Sequence, residues 1–186
     1  MRLKVSLSSH SINDAIKQLE RAKKQFVEMK TEFYHDCCNW FIQRANHYLD
    51  LADIGIVPKS QIQSSWEYTI VGDKITITNN ADKAVFVEFG VGIEGQGDPH
   101  PNANNTNYEY DVDSDFKLID RSWLFRTTEE ELDLPRDKVD VLYNKDSKMS
   151  VQTFGSQGVM YAYNALMDLN IEKRKIWNSI KKKYWG

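Results

Sequence analysis

Three glycines, Gly90, Gly92 and Gly95, spell G-x-G-x-x-G directly after the apolar run AVFVEF. In a dinucleotide-binding turn, the third glycine opens a helix whose N-terminus receives the pyrophosphate within a βαβ unit. Here Gly95 is followed by QGDPHPNANN, which is a poor start for a helix, and the preceding strands are predicted to be antiparallel. We therefore expect these glycines to let the backbone turn out of the sheet rather than to bind a phosphate.

A second candidate site is acidic. Asp111, Asp113 and Asp115 read D-x-D-x-D, which is how a calcium-binding loop begins. The sixth position of such a loop requires glycine and is Phe116, and the twelfth requires glutamate and is Ser122. The pattern therefore favours a solvated acidic loop over a calcium site.

A third candidate is hydrolytic. Glu88, Asp98 and His100 are close in sequence, and a small metal-dependent hydrolase that uses them is the alternative function. A turn bounded by prolines is the simpler interpretation of His100. The spacings H-E-x-x-H, C-x-x-C and G-x-S-x-G do not occur, and His35 and His47 are too far apart on one predicted helix to share a metal. We expect no catalytic residue, no metal ligand and no cofactor.

The charge distribution argues against a surface for duplex DNA. Residues 51–150 hold 10 Lys and Arg against 19 Asp and Glu, whereas both ends of the 186-residue chain are mildly basic. Cys37 and Cys38 are adjacent, and neighbouring cysteines rarely form a disulfide with each other, which fits a reducing cytoplasm. The sequence shows no signal peptide and no run of 18 apolar residues, so we expect a soluble protein made in a cytoplasm.

Apolar residues recur every three or four positions through residues 11–54, and no proline or glycine occurs before Gly55. This spacing predicts one helix of about 60 Å, ended by Gly55 and Pro58. Such a helix is too long to bury its apolar stripe against a small domain alone, so part of it should contact another molecule. A kinked helical hairpin is the alternative.

Residues 62–90 predict a β-meander of three short strands, because apolar and polar residues alternate around the turn pairs GD and NN. In the third strand, Val85, Val87 and Phe89 would lie on one face, and Phe86 and Glu88 on the other. Glu88 is the one charged residue within that strand. We expect it to make an intersubunit contact or to anchor the following loop.

Residues 91–158 have weak periodicity and predict an extended loop region, and residues 159–184 predict a C-terminal helix. Aromatic residues are dense around the predicted sheet and loop, which fits either a protein contact surface or a filled core. They are Trp66, Tyr68, Phe86, Phe89, Tyr108, Tyr110, Trp123 and Phe125.

The order of these segments resembles a family of phage minor structural proteins, the tail-component or neck proteins of long-tailed phages. The resemblance rests on the hairpin that ends in VEFGVG, residues 87–92, and on GSQGVMYAYNA, residues 155–165. Val91 stands where that family usually has threonine. The motif positions carried over to this chain are Trp66, Glu88, Phe89, Gly90, Gly92, Gly155 and Met160.

The resemblance implies a single α+β domain, in which a small antiparallel sheet is flanked by a long N-terminal and a C-terminal helix. It implies a structural role without catalysis: self-association as a hexameric ring at the head–tail junction. Partners would be head-closure, tail-terminator or tail-tube proteins, in a virion assembled in the host cytoplasm. The acidic middle of the chain could line a channel through which DNA passes without adhering.

Overall fold

The computed structural model describes residues 9–52, 59–109, 123–128, 140–145, 148–153 and 155–186. Its dominant element is α1, Ser9–Leu51, a continuous helix of 43 residues and about 65 Å. The kinked hairpin is therefore wrong, since α1 runs without a break through the predicted range. The predicted stop at Gly55 and Pro58 lies outside the described residues.

The C-terminal helix α6, Tyr161–Trp185, packs along α1 in the antiparallel direction. Asp168, near the start of α6, contacts Arg44, whereas Lys183, near its end, contacts Glu32. The predicted helix over 159–184 is thus confirmed, with its first turn two residues later. It covers only the C-terminal two-thirds of α1.

A β-hairpin packs against α1 after the short helix α2, Lys59–Ser64. Its strands are β1, Trp66–Val71, and β2, Lys74–Asn79, and they pair antiparallel. Half-buried and exposed residues alternate along both strands, which confirms the predicted period of two. Gly72 in the turn adopts a positive φ of 61° that glycine tolerates without strain.

The predicted third strand of the meander is wrong. Residues Ala84–Phe89 form a helical turn and a half, α3, and the sheet stays two-stranded. A short apolar run does not distinguish a strand from a buried helix, so tertiary packing decides. In the helix Val87 and Glu88 are both buried, whereas Val85 and Phe86 are exposed, so the predicted alternation of faces fails as well.

The region from residue 90 to residue 157 contains more regular structure than the extended loop predicted there. Strand β3, Gly90–Val91, pairs antiparallel with β7, Gly155–Gln157. The other elements are the short helices α4, Gly92–Gly97, and α5, Ala103–Thr106, and a three-stranded antiparallel sheet made of β4, Trp123–Thr128, β5, Asp140–Lys145, and β6, Lys148–Thr153, in the order β4-β6-β5.

Helix α4 also corrects the prediction that no helix involves the glycine motif. The helix has only six residues, and the strand before it pairs antiparallel with β7 rather than in a βαβ unit. The arrangement that holds a pyrophosphate is therefore not formed here. The calcium-like aspartates at 111, 113 and 115 lie outside the described residues.

The main core lies where the second half of α1 meets α2, α3 and the start of α6. Trp66 seals one side of it, with its ring edge-on to Phe41 at 5.6 Å and to Tyr161 at 5.9 Å between centroids. The buried members of this core are Phe41, Ala45, Leu49, Ile62, Ala84, Val87, Tyr161 and Ala165. The fold is mixed α+β, as predicted.

Candidate functional site

The Glu88 carboxylate binds the N-terminus of α6. Its Oε2 accepts a hydrogen bond from the backbone N–H of Ala162 at 2.8 Å, and its Oε1 accepts one from Tyr163 at 2.8 Å. The first N–H groups of a helix have no partner within the helix, and they carry the positive end of its dipole. Glu88 thus supplies from α3 the cap and the negative charge that the first turn of α6 lacks.

His100 holds the same carboxylate from the other side. Its Nδ1 accepts the backbone N–H of Asn102 at 3.0 Å, and its Nε2 lies 3.0 Å from Oε1 of Glu88. Because Nδ1 is used as an acceptor, the ring proton is on Nε2 and is donated to the carboxylate. Both residues are buried, with 4% of His100 and 8% of Glu88 exposed.

Two aromatic rings enclose His100 and link it to the neighbouring elements. Phe89 lies with its centroid 4.2 Å from the imidazole, and Tyr163 approaches edge-on at 5.2 Å. Phe89 also stacks on Tyr108 at 4.6 Å, and the Tyr108 hydroxyl donates to the carbonyl oxygen of Gly90 at 2.6 Å. The segment after α3 is thereby fixed against the start of α6.

The backbone before α6 passes over the end of α3 at very close range. Val159 donates its N–H to the Val87 carbonyl at 2.8 Å, and Met160 donates to the Glu88 carbonyl at 3.1 Å. A Cβ placed on Gly158 would lie only 2.6 Å from the Glu88 carbonyl oxygen. Only glycine fits at position 158 without a shift of the backbone, since real Cβ atoms keep well beyond that distance.

Two residues of this junction have left-handed backbone angles. Gly90 has a φ of 80° and lies in β3, which pairs with β7 at Gln157. Met160 has a φ of 54° at the N-cap of α6, where a residue with a side chain is uncommon. Together these angles turn the chain sharply on both sides of the β3–β7 ladder.

Tyr161 connects the junction to the core. Its hydroxyl donates to the Ala84 carbonyl at 3.2 Å. Burial, and to a smaller extent the negative charge of Glu88, raises the pKa of Tyr161 above its ordinary value. The phenol therefore remains a neutral donor at physiological pH.

The motif residues divide into two groups. Glu88, Phe89, Gly90 and Met160 meet at the junction described above, and Gly155 begins β7, which pairs with β3. Gly92 begins α4, and Trp66 lies apart in the core, where its Nε1–H donates to Oδ1 of Asn46 at 2.8 Å. Most of the predicted motif positions thus form one structural unit.

The sequence did not reveal which groups donate hydrogen bonds to Glu88 at this junction. Ala162 and Tyr163 bind through backbone N–H groups, which no residue type reveals. Gly158 carried a usable signal, because it is the second glycine of the segment GSQG just before a helix. For His100 the sequence suggested a hydrolytic residue or a turn bounded by prolines, and neither interpretation predicted its bond to Glu88 as a support for the cap of α6.

The three residues of the hydrolytic alternative differ in burial and in hydrogen bonding. Glu88 and His100 are buried and hydrogen-bonded to each other, whereas Asp98 is exposed. Over the described ranges, no group of three or more His, Cys, Asp or Glu side chains is placed to hold a metal ion.

Among the helices that the structure describes, none is long and apolar enough to cross a membrane.

A second polar cluster joins the C-terminal part of α1 to α6. Asp168 accepts hydrogen bonds from the Tyr48 hydroxyl at 2.7 Å and from Nε of Arg44 at 2.6 Å. These two bonds, the one from Tyr48 foremost, hold the pKa of the Asp168 carboxyl below its ordinary value. The cluster fixes the register of the two helices about 120 residues apart in sequence.

Comparison with models of protein families, with curated proteins and with solved structures gives no match to this chain.

Proposed function

We propose that this protein is a non-enzymatic structural component of a phage virion, a neck or tail-completion protein of the head–tail junction. It would act by self-association as a hexameric ring and by docking to head-closure, tail-terminator or tail-tube proteins. DNA would pass it as cargo. This proposal starts from the resemblance of two segments, VEFGVG and GSQGVMYAYNA, to that family.

One observation carries the proposal furthest: the two segments on which the resemblance rests are in contact. They are more than sixty residues apart in sequence, yet β3 pairs with β7, and Glu88 caps the helix that the second segment opens. Residues that must meet to build a fold constrain each other's identity. This supports the interpretation that both motifs belong to one inherited structural unit.

The chemistry of the junction also favours a structural role for Glu88. The carboxylate accepts two backbone N–H groups and the His100 ring within the chain. A general base needs a lone pair directed at water or substrate, and these three bonds direct the oxygens inward instead. The hydrolase alternative therefore has less support.

The test is genetic. The gene is deleted from the phage or prophage genome that carries it, and lysates are examined by negative-stain electron microscopy. We expect DNA-filled heads and tails that fail to join or to be completed, with recovery when the wild-type gene is supplied in trans. Normal tailed, infectious particles from the deletion would overturn the proposal.

A further inference from the structure

Helix α6 ends in a strongly basic segment. Residues 173–186 hold six Lys and Arg and no Asp or Glu, whereas the rest of the chain holds 18 Lys and Arg against 27 Asp and Glu. This segment lies outside residues 51–150, whose acidic composition argues against a surface for duplex DNA. An acidic chain thus concentrates its positive charge in about four turns of one helix.

Three of these cations are exposed along one side of α6. Arg174 and Lys181 are two turns apart, Lys182 follows, and Asn178 lies one turn from each of them. Ala165, which is fully buried, lies on the opposite side of the helix. We call the three cations and the asparagine between them the basic stripe.

The cations of the basic stripe have no acidic partner among the described residues, unlike their neighbours. Lys175 forms an ion pair with Glu172 at 2.7 Å, and Lys183 forms one with Glu32 at 2.8 Å. The basic stripe therefore keeps its full positive charge for a contact outside the described part of the chain.

The helix dipole accounts for only part of this charge. Basic residues in the last turn of a helix interact favourably with its unpaired carbonyl groups, and Lys182 and Lys183 lie in that turn. The effect does not extend beyond the last turn, and Arg174 lies three turns from the end of α6.

The basic stripe is polar between its charges. Asn178 and Ser179 are both exposed there. The exposed apolar side chains of this side of α6, Ile171 and Trp185, lie beyond the two ends of the stripe. A helix that lies in a membrane interface needs a continuous apolar face beside its basic one. The stripe therefore fits a hydrated polyanion better than a bilayer.

We propose that the basic stripe of α6 binds the phosphate backbone of duplex DNA. Duplex DNA carries one negative charge per about 1.7 Å of its axis, so three cations within about 12 Å of helix release condensed counterions on contact. Such contacts hold a protein on the duplex without reading the bases. The acidic remainder of the chain confines the contact to the stripe, because it repels phosphate. This inference rests on the charge of α6 and does not require the role in a virion.

The first experiment measures binding of the full chain to labelled duplexes of about 20 bp by fluorescence anisotropy, with two unrelated base sequences. We expect equal affinity for the two sequences. Three phosphate contacts give a slope of log K against log salt of about -2.7, so the affinity should fall about 40-fold between about 50 and 200 mM salt.

The second experiment removes the three charges together, as Arg174→Gln, Lys181→Gln and Lys182→Gln in one chain. We expect binding at about 50 mM salt to weaken at least about tenfold and the salt slope to become shallower by about 2–3. Urea unfolding should match wild type, because all three side chains are exposed.

The matched control removes the same charge from α1, as Lys17→Gln, Arg21→Gln and Lys24→Gln. These three residues also lie along one side of a helix, but Glu20 and Glu28 each lie one turn from Lys24. We expect this variant to bind DNA within about threefold of wild type, with the same salt slope.

A wild-type chain that does not bind DNA at about 50 mM salt would overturn the proposal. So would an unchanged salt slope in the α6 variant, or an equal loss of binding in the α1 variant. Tighter binding to poly-glutamate, or to vesicles of phosphatidylserine and phosphatidylcholine, than to DNA would assign the stripe to an acidic protein or a membrane instead. None of these results bears on the head–tail role, which the gene deletion tests separately.

Discussion

The carboxylate of Glu88 and the backbone N–H of Ala162 are joined by a hydrogen bond of 2.8 Å between two elements far apart in the sequence. This bond caps a 25-residue helix from outside that helix. The bond thereby closes a span of 74 residues between α3 and α6.

Glu88→Gln should destabilise the protein even though it preserves size and shape. An amide offers one acceptor oxygen, so at least one donor of the junction would face an NH₂ group. We expect a loss of about 1–3 kcal/mol in the free energy of unfolding, measured by urea denaturation.

The matched control for that substitution is Glu67→Gln, which makes the same chemical change on the exposed face of β1. It should change stability by no more than about 0.5 kcal/mol. Equal stability of the two variants would mean that the Glu88 bonds contribute nothing to folding.

Gly158→Ala should be among the most disruptive single-methyl additions in the chain. The new Cβ would lie 2.6 Å from the Glu88 carbonyl oxygen and from the Phe89 carbonyl carbon, and both are backbone atoms. We expect a loss of about 1–3 kcal/mol by thermal or urea unfolding. Gly97→Ala, where nothing lies within 4 Å, is the comparison and should be neutral or slightly stabilising. A neutral Gly158→Ala would contradict the close approach described here.

The Asp168 cluster predicts that the stability difference between wild type and Asp168→Asn depends on pH. The pKa of the Asp168 carboxyl lies below the ordinary 3.8 in the folded chain. The stabilisation by this carboxylate is therefore complete above pH 3.8 and is lost as the pH falls through the lowered pKa. Asp168→Asn should cost at most about 1 kcal/mol at neutral pH, because 31% of the side chain is exposed. The gap to wild type should narrow in urea unfolding as the pH falls below 3.8. Asp98→Asn should show no such gap at either pH, and a gap for Asp168→Asn that persists in acid would argue against the ion pair as its cause.

Cys37 should be an unreactive thiol. Burial foremost, and then the charges of Cys38 and Asp36, raises the pKa of Cys37 to about 11. At pH 8 this lowers the thiolate fraction by about a hundredfold relative to an unfolded cysteine, and the thiolate is the reactive form. In a Cys38→Ala chain, Ellman's reagent should modify Cys37 rapidly only after unfolding. Comparable rates in the folded and unfolded chains would contradict this.

The same shift predicts a loss of stability in alkali. A group whose pKa is raised in the folded state stabilises it below the unfolded pKa of 9.0, and that stabilisation disappears as the pH rises towards about 11. Cys37→Ala should therefore lose less stability than wild type between these two pH values. A parallel decline of both chains in urea unfolding would show that Cys37 does not titrate as described.

Local pattern was sufficient for the elements with long or strict periodicity. The repeat of three and four predicted α1, and the alternation around Gly72 predicted the hairpin, because both periods follow from the backbone geometry of a single element. The run AVFVEF was misassigned because a six-residue, mostly apolar segment satisfies a strand or a buried helix equally well. Its helical form depends on contacts with α1 and α6, which are distant in sequence.

For a related reason, the sequence predicted only part of the candidate site. Glu88 was singled out as a charge within an apolar segment, and its partners could not be named. The donors at residues 162 and 163 are peptide N–H groups, and His100 joins them through folding of a segment with no clear period. Side-chain identity predicts which residue needs a partner, and only the fold determines which backbone provides it.

A structural component of a phage particle must be present in the purified particle, so the proposed role is tested by the protein content of virions. Virions of the phage that carries the gene are purified by density gradient, and this protein is quantified by mass spectrometry against the major capsid protein. We expect a small fixed number of copies per virion, retained after high-salt washing and compatible with one ring. Absence of this protein from purified infectious particles would refute the proposed role.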